Sequence, residues 1–275
     1  MSDKRVLTIQ DISCVGQCSL TVALPIISAC GIETAILPSA VLSTHTGGFK
    51  GWTFRDLTED IPAIEQHWNK EGIKFDAIYT GYLGSAQQID YVKSIFNTCS
   101  KDDCLHIVDP AMADNGVLYP GFDLDFVKCM ARLCEAADYV LPNITEASLI
   151  TGTEYKETYD ESYVKELVEK LAALGPGTVI LTGVSYEPTT TGVVVYENGK
   201  LDYYRHYKLP KGSHGTGDVY ASAFVGALLH GNSSFDAAKI AADYTVKCIE
   251  NTQSDPDHWY GVKFESVLPE LIKAL

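Results

Sequence analysis

The segment Gly212-Ser213-His214-Gly215-Thr216-Gly217-Asp218 runs straight into the small and apolar residues Val219-Tyr220-Ala221-Ser222-Ala223-Phe224. Glycine has no Cβ to obstruct an anion, and the first turn of a helix presents unpaired N–H groups backed by the positive end of the helix dipole. Gly215, Thr216 and Gly217 therefore read as an anion hole. A carboxylate beside bound phosphate has a use when it takes a proton. Asp218 accordingly reads as the general base for an attacking hydroxyl in phosphoryl transfer. A plainer pattern fits the same residues, a glycine loop with Asp218 as helix N-cap.

Other polar groups fall where strands should end. Asp109 and Asp114 stand five residues apart in Asp109-Pro110-Ala111-Met112-Ala113-Asp114, an oxygen donor set of the kind that suits Mg²⁺, or simply a polar turn. Asn143-Ile144-Thr145-Glu146 fits a capping box, and it equally fits Glu146 ordering metal-bound water with Asn143 near phosphates. Thr182-Gly183 could hold a nucleotide phosphate. Tyr82, in the turn Gly81-Tyr82-Leu83-Gly84-Ser85, could stack on a flat heterocycle or pack on the core. His45 and Thr46 lie in a glycine-rich stretch, Thr44 to Trp52, that could line a small-molecule pocket, with His45 equally suited to a structural hydrogen bond. Asp11 follows the first apolar run, where it could meet a substrate's polar atoms, and His214 could approach phosphate or face solvent.

The elements that must position these groups alternate. Strands are expected at Val6–Gln10, Thr34–Ala40, Asp76–Thr80, Leu105–Val108, Tyr139–Leu141 and Thr178–Leu181. Helices are expected at Ser19–Cys30, Gln87–Asn97, Phe122–Glu135, Glu161–Leu174, Asp218–His230, Phe235–Glu250 and Phe264–Ala274. Asn198-Gly199 between Gly192–Tyr196 and Leu201–Tyr207 marks a hairpin. Short strands apolar on both faces imply a mainly parallel sheet covered on both sides, with one late antiparallel hairpin. Ligands of such a sheet bind beyond the carboxyl ends of its strands, which is where Asp109, Asn143, Thr182 and the 215 loop fall. Residues 1–275 read as one α/β domain without repeats, with Ser43–Asp60 and Thr182–Thr191 as its most mobile loops.

The 275 residues are 46% hydrophobic, enough for a substantial core, and 21 basic against 36 acidic residues give a net charge of −15. Such a chain is a poor binder of nucleic acid or anionic membrane, while a local nest of N–H groups and a metal still allow a phosphate ligand. No apolar run approaches a membrane span, and Lys4-Arg5 precedes a short strand-like run, so a cytoplasmic protein is expected. Eight cysteines without a Cys-x-x-Cys pair read as reduced thiols.

Gly-Thr-Gly-Asp at 215–218 and Asn-x-x-Glu at 143–146 resemble two motifs of the ribokinase-like (PfkB) kinase superfamily. With His45-Thr46, Gly81-Tyr82-Leu83-Gly84-Ser85, Asp109-Pro110 and Pro142-Asn143 in order, nearly the whole chain resembles the pyridoxal/pyridoxamine (vitamin B6) kinases. The resemblance implies a three-layer α/β/α sandwich without a separate lid, a homodimer, and the use of ATP, Mg²⁺ and, as in many members, K⁺. It implies Asp218 as base for a 5′-hydroxymethyl group, an anion hole at 215–217, and Asp109 and Glu146 serving the Mg²⁺·ATP phosphates with Asn143 nearby. Thr182 and Gly183 would meet ATP, and His45, Thr46 and Tyr82 would line the pyridine pocket. The chain departs from these kinases at Asp11, where they typically carry a serine that bonds the ring. A carboxylate there could pair with a protonated ring nitrogen or an amine, or resemble the substrate-gripping Asp of sugar kinases. Position 182 is Thr where some B6 kinases carry Lys. Two alternatives accompany this reading: a kinase of hydroxymethylpyrimidine or another small hydroxymethyl compound, and a non-catalytic ligand-binding protein on a kinase-like fold.

Overall fold

A computed structural model describes residues 4–209, 214–255 and 257–275, so Gly212 and Ser213 of the glycine loop lie outside the described residues. The chain runs through β1 (Arg5–Ser13), α1 (Leu20–Ala29), β2 (Glu33–Leu42), β3 (Phe54–Asp56), α2 (Ile61–Glu71), β4 (Phe75–Thr80), α3 (Ala86–Thr98) and β5 (Ser100–Val108). It continues through the short ribbon of β6 (Ala113–Asp114) and β7 (Val117–Leu118), then α4 (Leu124–Cys134), β8 (Tyr139–Val140), α5 (Ile144–Thr151) and α6 (Glu161–Ala172). It ends with β9 (Thr178–Val184), β10 (Thr190–Glu197), β11 (Lys200–Tyr207), α7 (Thr216–His230), α8 (Ser234–Gln253) and α9 (Leu268–Ala274).

The main sheet has nine strands in the order β11-β10-β9-β8-β5-β4-β1-β2-β3. The six from β9 across to β2 are parallel, and antiparallel strands extend both edges. Alternation along the strands sorts side chains into two layers. Leu7, Ile9, Ile78 and Val108 join the layer under α3 to α6, whereas Val6, Ala77, Tyr79 and Ile107 join the layer under α1, α7 and α8. The result is a three-layer α/β/α sandwich, as expected. Helix α7 is buried from Val219 to Leu229, which explains why its sequence is small and apolar all round rather than amphipathic. Asn198 at φ 53° and Gly199 at φ 78° place two left-handed residues in the β10–β11 turn, as a type I′ hairpin requires.

Several boundaries differ from the sequence expectations. β1 continues to Ser13 through its pairing with β2, so Asp11 lies inside the strand rather than after it. β9 likewise continues to Val184, because β10 pairs with it past the apolar run. Gly183 is the extra residue of a bulge there: one step on β10, Gly192 to Val193, faces two steps on β9, Val184 to Thr182. The stretch 43–60 holds β3 and a 3₁₀ turn at Thr58–Asp60, and the loop after β9 shortens to residues 185–189. A polar helix, α2, has no counterpart among the expected elements, and the last expected helix is divided into a 3₁₀ turn at Glu265–Val267 and α9. All eight cysteines are free.

Helix α7 carries the anion loop, so its seating fixes the site. Phe224, fully buried, packs on Tyr139 at 6.0 Å between ring centroids. Phe224→Ala should destabilise the protein by about 3–5 kcal/mol, read as a lowered midpoint in urea unfolding.

Candidate active site

The order of the parallel strands reverses at β1: β2 lies on one side of β1, and β4, β5, β8 and β9 follow on the other. Beyond the carboxyl ends of these strands lies a cavity of about 430 Å³. Its walls include Asp109, Asn143, Glu146, Thr182, Gly183, Gly215, Thr216, Gly217 and Asp218. Nine residues singled out from sequence thus meet in one space, at the sort of position where open α/β sheets bind ligands.

The two glycines at the start of α7 have different causes. Gly215 has φ 77°, and a Cβ on it would meet the Gln17 carbonyl oxygen at 2.0 Å, so the fold itself demands glycine. Gly217 sits in the first turn with ordinary helical φ, and a Cβ would meet nothing within 4 Å. No described residue requires glycine there, although glycine weakens a helix by about 1 kcal/mol relative to alanine. A ligand resting directly on the backbone does require it. Asp218 follows, its carboxyl pushed up to about 7 by burial and further by Asp11, against the opposing effect of the Ser19 backbone N–H.

Glu146 does two jobs. It closes a capping box with Asn143, accepting the Asn143 N–H at 2.9 Å while its own N–H donates to Asn143 Oδ1 at 2.9 Å. Its other oxygen accepts the Met112 N–H at 3.1 Å, and Asn143 Nδ2 donates to the Ala113 carbonyl at 2.8 Å. The capping pattern and the site are therefore one structure, and the pair ties the loop carrying Asp109 to α5. Asp109 is buried, and its carboxyl accepts no hydrogen bond from a described residue; burial, Glu146 and Asp218 all push it up. Burial likewise raises Glu146, against its backbone N–H partners.

A bridge between Asn143 and Thr182 brings the ends of β8 and β9 together, with Thr182 Oγ1 donating to the Pro142 carbonyl at 3.3 Å. Ala242, Val246 and Ile249 of α8 give the cavity an apolar wall. Their spacing reads as core in the sequence, and only the fold shows that this stripe faces a cavity.

The remaining expected residues lie on the other side of Asp218. Asp11 is buried at 5% exposure and accepts the Ser13 hydroxyl at 3.0 Å. Tyr82 is half-buried, stacked toward Phe122 at 5.5 Å, and feels the Asp11 charge. His45 is buried with both nitrogens engaged: Nδ1 accepts the Gly47 N–H at 3.0 Å and Nε2 donates to the Tyr260 carbonyl at 2.8 Å. That arrangement makes His45 a structural hydrogen-bonder, and burial holds its pKa below the usual value. Thr46 is exposed on the adjoining loop. His214 joins the two halves, lining the cavity with its ring 5.5 Å from that of His45. Sequence reasoning missed Ser19. It precedes α1 as an N-cap would, yet makes no capping bond; at φ 54° it stands between Asp11 and Asp218 instead.

The donor set fits a hard cation. Asp109, Asp114, Glu146 and Asp218 line the cavity, with no lysine or arginine among the described lining residues. A phosphate could share such a space only with a cation, and Mg²⁺ takes one or two carboxylates while keeping phosphates and waters. Glu146 has its oxygens occupied by backbone N–H groups, so Asp109 is the carboxyl with free acceptor capacity.

Comparison with known proteins gives the family. The family model described as phosphomethylpyrimidine kinase matches residues 26–262. A candidate phosphomethylpyrimidine kinase of Bacteroides thetaiotaomicron superposes with a TM-score of 0.95 at 36% identity, covering 98% of this chain and 94% of that one. Another crystal form of that protein, solved with pyridoxal, gives a TM-score of 0.90 with coverage of 98% and 96%. Pyridoxal kinase from Lactobacillus plantarum gives 0.91 at 31% identity, covering 98% and 97%. A pyridoxal kinase of Granulibacter bethesdensis is 27% identical over 262 residues, 90% of each chain. The chain belongs to the phosphomethylpyrimidine kinase family of small-molecule kinases.

Proposed function

We propose that this chain transfers the γ-phosphoryl group of ATP to the 5′-hydroxymethyl group of a vitamin B6 compound. The observation that carries the reading is Asp218 at the head of α7: a carboxyl pushed up to about 7 by burial, one residue past a glycine that no described residue requires. A base with a pKa near the working pH combines a useful ionised fraction with real proton affinity. The nucleotide base lies against Ala242, Val246 and Ile249, and the phosphates lie on the first-turn N–H groups at 216–218. Asp109 would hold Mg²⁺, which would supply positive charge against the phosphates. The vitamer enters from the side of Asp11 and Tyr82. Its hydroxyl oxygen bonds to the γ-phosphorus, the bond from that phosphorus to the bridging oxygen of ADP breaks, and the hydroxyl proton passes to Asp218. The pyridoxal bound by the Bacteroides relative and the pyridoxal kinases among the relatives support this choice of substrate. The family match itself favours a second reading, hydroxymethylpyrimidine as the acceptor.

Turnover across pyridoxal, pyridoxine, pyridoxamine and hydroxymethylpyrimidine decides between the two readings: the B6 reading fails if no vitamer is phosphorylated. Asp218→Asn should lower kcat by about 10²–10⁴ while ATP still binds, and a near-normal kcat would remove Asp218 as the base. In the wild type, kcat/KM should rise with pH and level off above about 7, as Asp218 ionises.

The same carboxyl binds its proton more tightly folded than unfolded. Its contribution to stability is present at low pH and is lost as pH climbs from about 4 through about 7. Asp218→Asn should therefore melt at or above the wild-type temperature at pH 8, measured by calorimetry without ligands.

Gly217→Ala should fold as stably as the wild type, or up to about 1 kcal/mol more so, yet lose ATP affinity in calorimetric titration. Gly215→Ala should lose stability, because its Cβ collides with the Gln17 carbonyl.

A further inference from the structure

Asp11 is a buried carboxyl without a counter-charge among the described residues. Only the Ser13 and Ser19 hydroxyls and its own backbone support it, and no lysine or arginine among the described residues forms a salt bridge with it. His45, whose pKa burial lowers, is committed to Gly47 and Tyr260. Asp218 adds a like charge on the other side. Buried carboxylates are ordinarily paired, and leaving one unpaired is costly. The protein maintains this arrangement at further expense. Ser19 adopts φ 54°, a strained backbone, and its side chain makes no capping bond to α1; it pairs instead with Ile12, next to Asp11, while its neighbours Gln17 and Cys18 lie against Gly215 at the head of α7. Asp11 also sits at the register shift between Gln10 and Ile12, at the carboxyl end of β1 beside the reversal of strand order.

What completes such a carboxyl is a donor brought by the ligand. One residue, Ser19, spans the gap between Asp11 and Asp218, so the group that Asp11 meets lies close to the hydroxymethyl group that Asp218 deprotonates. We infer that Asp11 selects acceptors carrying an amino group on the ring substituent next to the hydroxymethyl group. Pyridoxamine has this arrangement through its aminomethyl group, and hydroxymethylpyrimidine through its ring amine. Pyridoxal and pyridoxine place an aldehyde or a hydroxyl there. The inference rests on the kinase reading above and adds the acceptor class to it.

The test compares kcat/KM for the two amino acceptors with that for pyridoxal and pyridoxine, in wild type, Asp11→Asn and Asp11→Ser. Wild type should favour the amino acceptors. Both variants should reduce the ratio of amino to non-amino kcat/KM by about tenfold or more, the effect of losing one charge-assisted hydrogen bond. A purely structural role would lower all acceptors together. A wild type without preference for the amino compounds, or a ratio within about threefold of wild type in the variants, overturns the inference. If Asp11→Ser does not fold, the isosteric Asp11→Asn gives the same readout, with melting temperature as the check on folding. Failure of the kinase reading looks different: no acceptor is phosphorylated by the wild type.

Discussion

Negative charge gathered without a lysine or arginine among the described lining residues is the constraint around which this site is built. Asp11, Asp109, Glu146 and Asp218 stand at one end of one sheet, and the structure pushes each of their carboxyls upward. Left alone, the cluster would favour taking up protons or coming apart. Backbone N–H groups and hydroxyls hold it together: Met112 and Asn143 at Glu146, Ser13 at Asp11, Ser19 at Asp218. A ligand that brings positive charge or hydrogen-bond donors would offset it further. A site of this kind is unstable when empty and is relieved when filled, so binding and folding are linked.

Glu146 shows how closely structure and chemistry are joined here. Its capping box is ordinary helix physics, and its carboxyl's other backbone partners, Met112 and Ala113, belong to the loop that presents Asp109. The alternatives posed by the sequence, cap or metal-site residue, are not exclusive. A cap can act at a distance when the segment it grips carries the functional group. In this geometry Glu146 positions the loop, and Asp109 keeps its acceptor capacity.

Local signals carried much of the architecture in the sequence. Short apolar strands, the Asn198-Gly199 turn and glycines after helices place most elements to within a few residues. Strand ends were less legible, because pairing with β2 and β10 prolongs β1 and β9 through Asp11 and Gly183, beyond their apolar runs. Helix α2 escaped because it is largely polar and only Ile61 and Glu65 are buried in it. In the site, the anion loop and Asp109 were visible from residue type and spacing. Ser19 was not, since its sequence context is that of any N-cap and only its φ angle shows otherwise. Gly215 and Gly217 look alike on paper, and three-dimensional clearance alone separates their reasons.

The wall that holds His45 is assembled from distant parts of the chain. His45 reaches Tyr260 across 215 positions, Gln17 meets His258 across 241, and Gln17 meets Glu265 across 248. Phe49 and Trp259 close the same seam at 4.6 Å between rings. A ribosome extends the chain from its amino end, so Gln17 and His45 wait through most of synthesis for their partners. The anion loop and its carboxylate leave the ribosome earlier than residues 258–265. The candidate site's residues at 215–218 thus exist in the nascent protein before the wall around His45 is complete, and the finished site arrives late in synthesis.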